Sequence, residues 1–122
     1  MNWDGYGVYQ KTENDCGIGA IATLVGLPYE TVEMAWRAAL NRDPGPSSYK
    51  NLLATLGALE IKSEKVTKTG WCIRRARGEK YSSHSHWIVT YSDGSLWCPT
   101  VGYVPALAEY GMPHLGHGIR LI

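Results

Sequence analysis

At 122 residues, 44% hydrophobic and 19% charged, the chain carries enough apolar material for one buried core and too little length for two, which excludes a disordered segment and a multidomain assembly. A formal charge of +1 leaves no electrostatic footprint for nucleic acid, so no nucleic-acid partner is expected, and no apolar run reaches the length of a membrane span. Three widely spaced cysteines without a C-x-x-C pair make neither a disulfide framework nor a structural zinc site, so no cofactor and no resident metal are expected.

The opening residues, Met1 to Tyr6, contain neither a basic nor an apolar signal region, so a cytoplasmic location is expected. Residues 1–9 read as an irregular lead-in rich in Gly and aromatics. With eight Tyr, five Trp and no Phe, the aromatic set is polar and suits ring edges at a surface or cleft. Ile18, Ile21, Ala22 and Leu24 form a helical stripe that predicts a first helix from about Cys16 to Val25. Gly26 is its C-cap and Pro28 its stop. Thr31, Val32, Met34, Ala35, Ala38, Ala39 and Leu40 predict a second helix ending near Asn41, before the breaker Asp43-Pro44-Gly45-Pro46. Ser47-Ser48 caps a third, through Tyr49, Leu52, Leu53 and Leu56, with Gly57 weakening its last turn.

Beyond this point the pattern turns to strands. Glu60 to Val66 alternates weakly, as a charged edge strand does, while Gly70 to Ile73 is left between strand and turn. The run Arg74-Arg75-Ala76-Arg77 reads as a solvated face rather than an anion contact. His84 to Tyr91 and Leu96 to Val101 are two strands joined around Ser92-Asp93-Gly94-Ser95, and Gly116 to Ile122 is a last strand. His114 and His117 are expected in a Gly/Pro-rich loop. Helices first and antiparallel strands afterwards describe a single α+β domain over residues 1–122.

The chemically loaded stretch runs from Gln10 to Leu24, a polar loop that becomes a helix with Cys16 at the junction. A thiol in the first helical turn meets unpaired backbone N–H groups and the positive end of the macrodipole, which favour thiolate. Asp15 suits the N-cap, and Gly17 and Gly19 leave room for backbone and substrate beside the sulfur. Gln10, six residues upstream, carries an amide that can donate to an oxyanion.

Gln10, Asp15-Cys16-Gly17 opening an Ala/Gly/Leu helix, and His86-Trp87-Ile88-Val89 downstream together resemble the papain-like cysteine peptidases, in particular the bacteriocin-processing type. The resemblance spans roughly Val8 to Val101. It implies a papain-like α+β fold, with N-terminal helices packed on a C-terminal antiparallel sheet. It also implies that Cys16 is the nucleophile, His86 the general base and Gln10 part of the oxyanion hole, with the Cys16 backbone N–H as second donor. In that family an Asp precedes Pro in the following strand; here the residue before Pro99 is Cys98.

Hairpin register decides whether Cys98 reaches the imidazole. A strict two-residue turn pairs Ser92 with Ser95 and puts Trp97 and Pro99 on the face of His86. A three-residue loop from Ser92 to Gly94, with Gly94 as the bulge, sets Cys98 opposite Ile88 and diagonal to His86, and the sequence fits this second form. With Cys98 in the usual Asp position the site is a bare Cys–His dyad, a triad completed by another group, or a retired cleft.

Two classes of function follow. One is a small stand-alone cysteine hydrolase acting on a peptide or protein substrate through a Cys–His thioester, a chain order shared with acyltransferases. The other is an impaired relative that binds a partner protein through the cleft. A zinc site from His84, His86 and Cys98 is a weaker third reading, for want of a fourth ligand. The residues say nothing about oligomeric state.

Overall fold

Residues 2–66, 70–77, 85–111 and 114–122 are described by a computed structural model. Helix α1 (Cys16–Val25) is apolar all round, and accordingly it is buried from Cys16 to Leu24. It ends where Gly26 takes the left-handed conformation (φ 75°) and returns its N–H to the Ala22 carbonyl. Helix α2 (Tyr29–Leu40) begins two residues before the first residue of its predicted stripe, because Pro28, whose φ of −65° already suits a helix entry, serves as its N-cap. It buries Tyr29, Val32, Ala35 and Trp36 and leaves Met34 exposed. Helix α3 (Tyr49–Ala58) opens with a capping box: Ser48 Oγ accepts from the Asn51 N–H and Asn51 Oδ1 accepts from the Ser48 N–H.

The second half forms a six-stranded sheet of β1 (Ser63–Val66), β2 (Cys72–Arg77), β3 (Ser85–Thr90), β4 (Leu96–Cys98), β5 (Gly102–Val104) and β6 (His114–Leu121). The order across the sheet is β1-β6-β2-β3-β4-β5, and every pairing is antiparallel. The α+β arrangement of N-terminal helices followed by an antiparallel sheet is therefore observed, and β1 is an edge strand as its charges suggest.

Three readings are corrected. The arginine run is solvated only at its Arg77 end; it forms part of β2, and Arg74, 6% exposed, gives Nε and Nη2 to the Gly116 carbonyl at 3.0 and 2.8 Å. His114 and His117 lie on β6 rather than in a loop. The strand expected over Leu96–Val101 ends at Cys98, because Pro99 cannot donate to a ladder, and the chain doubles back as β5.

Alternation divides the sheet into two covered faces. Ile73, Trp87, Val89, Trp97 and Ile119 pack against α1 in the main core. Ala76, Ile88, Leu96 and Cys98 form a smaller core beneath Val104, Leu107 and Tyr110, the last two belonging to a turn of 3-10 helix (Leu107–Glu109) and the residue after it. The polar aromatics find their place along the N-terminal lead-in. Trp3 stacks on Tyr103 at 4.4 Å, Tyr9 meets Trp97 edge-on at 4.9 Å, and Trp97 Nε1 donates to the Val8 carbonyl at 3.1 Å.

Candidate functional site

The hairpin after β3 has the bulged form. Val89 pairs with Trp97 and Thr90 with Leu96, Gly94 has φ 88°, and Tyr91 closes the loop by donating to the Ser95 carbonyl. Continued outward, this register sets Cys98 opposite Ile88 and Thr100 opposite His86. His86 stands at the start of β3, and the elements around it bring Cys16 from the first turn of α1 and Cys98 from the end of β4 to the same imidazole.

The ring is oriented by a hydroxyl. His86 Nε2 lies 2.6 Å from Thr100 Oγ1, and Thr100 Oγ1 donates to Gln10 Oε1 at 2.8 Å. An amide oxygen only accepts, so the single hydroxyl proton goes to Gln10 and Thr100 must accept from His86. Nε2 is therefore the protonated nitrogen, which leaves Nδ1 as the basic one in the neutral ring. Gln10 is held from both sides: its Nε2 donates to the Thr12 carbonyl at 2.6 Å and its backbone N–H to the Pro99 carbonyl at 3.0 Å. The second amide hydrogen of Gln10 remains for another acceptor.

The electrostatics centre on the two thiols. Interactions with Cys16 first and Cys98 second raise His86 to about 10, against burial, which lowers it. Burial works to keep Cys98 protonated, but bonds from His86, from Tyr110 and from the backbone N–H groups of Val101 and Thr100 outweigh it and bring the thiol down to about 7. Tyr110 Oη donates to Cys98 Sγ at 3.1 Å, and burial together with the neighbouring sulfur holds that phenol protonated. Cys98 and His86 border a cleft of about 370 Å³ whose other walls include Val101, Val104 and Tyr110.

Asp15 does not cap α1 with its side chain. Its carboxylate instead accepts from the Lys11 and Thr12 N–H groups at 3.0 and 2.9 Å and from Tyr29 Oη at 2.5 Å. Burial would raise its pKa, but these bonds outweigh that and hold it below the usual carboxylate range. The acid thus pins the loop that carries Gln10. Among the described residues the N–H groups of Cys16 and Gly17 have no hydrogen-bond acceptor, the ordinary state of a helix start. Gly17 and Gly19 are filled by the protein itself: a Cβ would meet Ser47 and Leu52 at Gly17, and Pro99 and the Val8 carbonyl at Gly19.

Gln10, Cys16, His86 and Cys98 are thus brought together. His84 lies outside the described residues, and among the described residues no group of three or more His, Cys, Asp or Glu side chains is arranged to hold a metal ion. Among the described residues no helix is long and apolar enough to cross a membrane. Thr100 and Tyr110 were missed by the sequence reading. The register that sets Cys98 opposite Ile88 also sets Thr100 opposite His86, so a signal for Thr100 was present; Tyr110 has none. Compared with protein-family models and with curated proteins, the chain matches none.

Proposed function

We propose that the protein is a small cysteine hydrolase of the papain-like kind, opening peptide or isopeptide bonds through a thioester on Cys16. The observation that carries the reading is the relay from Gln10 through Thr100 to His86 Nε2, which makes Nδ1 the nitrogen that exchanges a proton, on a ring that interacts with Cys16. In the first step the Cys16 sulfur attacks the carbonyl carbon, its proton already held by His86, whose raised pKa keeps the ring charged at neutral pH. The Cys16 N–H and the second amide hydrogen of Gln10 receive the oxyanion. The imidazolium then protonates the departing amine, and a water activated by the same ring hydrolyses the thioester. Cys98, as thiolate, stands where an orienting carboxylate would, stabilising the imidazolium while Thr100 fixes the tautomer. Three free thiols suit a reducing compartment such as the cytoplasm.

Brief treatment with a cysteine-protease epoxide at mildly acidic pH, followed by mass measurement, tests this reading. One adduct on the wild type, lost in both Cys16→Ala and His86→Ala, supports it; no adduct on folded wild type overturns it. A second reading, a partner-binding protein with an idle cleft, is favoured by one observation: His86 interacts with two thiols and a threonine hydroxyl rather than with a carboxylate.

A further inference from the structure

A basic recess lies on the helix-side face, between the start of α3 and strands β2 and β6. It has a volume of about 350 Å³ and is lined by Tyr49, Arg75, Arg77, His114 and His117, with no Asp or Glu among the described residues around it. A bulge between Arg74 and Ala76, where the β2–β6 register slips, opens the wall here. The Arg75 guanidinium lies 4.8 Å from the Trp87 ring and 5.4 Å from that of Tyr49, and its buried Nε has no hydrogen-bond partner. Neither Arg75 nor Arg77 forms an ion pair among the described residues, whereas Glu64, on the neighbouring edge strand, is committed to Arg120. Lys65 adds a further cation over the Tyr49 ring, 4.7 Å from its centre. A buried N–H with no acceptor, beside Arg75 and Arg77 guanidinium groups that have no ion-pair partner among the described residues, marks a place for an external anion.

The recess adjoins Trp87, which shares the main core with Cys16. Trp87, the residue after His86, packs edge-on to Tyr49 at 4.9 Å and lies under Arg75, and its Nε1 donates to the Ser47 carbonyl at 3.0 Å. Ser47 Oγ, also buried and unpartnered, abuts Gly17 beside Cys16. Across the strands Arg75 pairs with Trp87 and Ala76 with His86.

We infer that the recess is a recognition subsite for an acidic side chain of the peptide substrate, gripped by Arg75 and Arg77. The word substrate rests on the hydrolase reading above; the anion site itself does not. Guanidinium pairs grip a carboxylate through paired N–H donors, which a glutamine side chain cannot match in charge.

The test uses the Cys16→Ala protein, so that binding is read without turnover, titrated by NMR with an acetylated, amidated Glu-containing hexapeptide and its Gln counterpart. The Glu peptide is expected to bind about tenfold more tightly, with shifts at Tyr49, Gly116 and His117 and a preference that shrinks with added salt. Arg77→Gln, at an exposed position that the core does not need, should cut the preference several-fold, and Arg75→Gln with Arg77→Gln should remove it. Equal affinity for the two peptides, no binding of either, or a preference unchanged in Arg77→Gln would overturn the subsite. So would shifts produced by inorganic phosphate alone with no peptide preference. A failed epoxide labelling alongside an intact Glu preference would sink the hydrolase reading and uphold the anion site; the reverse pattern would do the opposite.

Discussion

Cys16 and Cys98 flank one imidazole, yet their surroundings are opposite. Cys16 opens a helix, so the N–H groups around it are unspent and face outward from the chain end of α1. Cys98 closes a strand, and the donors around it, from Tyr110, Val101, Thr100 and His86, are already directed at its own sulfur. A thiolate wrapped in donors is stable but weakly nucleophilic, whereas a sulfur beside free donors can attack a carbonyl whose developing oxyanion those donors receive. One sulfur thus has free donors beside it, while the other is already wrapped in its own.

The sharpest way to break this contrast is to remove each sulfur in turn. Cys16→Ala should abolish hydrolysis, a loss of about 10⁴-fold or more in kcat/KM, whereas Cys98→Ala should retain measurable turnover. If the two losses prove equal in assays of peptide cleavage, the division of labour is wrong. On the Cys16 side, Asp15→Asn replaces one of the two oxygens that accept from Lys11, Thr12 and Tyr29 with a donor, and should cost about 2 kcal/mol, roughly 6–10 °C in Tm by calorimetry. Because the Asp15 carboxylate is depressed in the fold, its contribution is present above the unfolded value near about 4 and lost as pH falls through the lower folded value. The variant should therefore lose part of the wild-type acid sensitivity.

On the Cys98 side, Cys98→Ala should lower kcat/KM by about 10- to 100-fold, while Cys98→Asp, which restores a permanent anion, should stay within a few-fold of wild type. Equal damage from both would mean that only the packing of the sulfur matters. The smallest effect concerns pH. With Cys98 held down to about 7 from an ordinary value near 9, the stability its thiolate contributes is complete above about 9, and is lost as pH falls through about 7. Tyr110→Phe deletes one donor, so the inflection in thiolate absorbance should move upward, with a rate loss of only about three- to tenfold.

Much of this arrangement was legible in the residues because it rests on local rules. Gly26 and the breaker after Leu40 mark helix ends through backbone geometry, and the loop from Ser92 to Gly94 sets hairpin register through turn length alone. That register was enough to place Cys98, and carried two residues further it also places Thr100. What stayed hidden depends on distant pairing. The arginines of β2 read as surface because nothing local reveals that Gly116 will supply a carbonyl to Arg74 or that β6 will lie alongside. Tyr110 reaches Cys98 from a turn whose position follows from Pro99 ending β4, a tertiary consequence with no periodic signature. Asp15 looked like an N-cap because its position is right, and its partner Tyr29 lies one helix away.

The lead-in strap has a consequence in time as well as in space. Val8 and Gln10 are tied to Trp97, Pro99 and Thr100, almost at the opposite end of the chain. Closures between such remote segments come late in folding, after the local helices have formed. A ribosome must therefore finish the fourth strand before the imidazole relay exists, and a nascent or partly unravelled chain carries its sulfur without the parts that would arm it. On the hydrolase reading, activity would then report on completion of the whole topology rather than of any one piece.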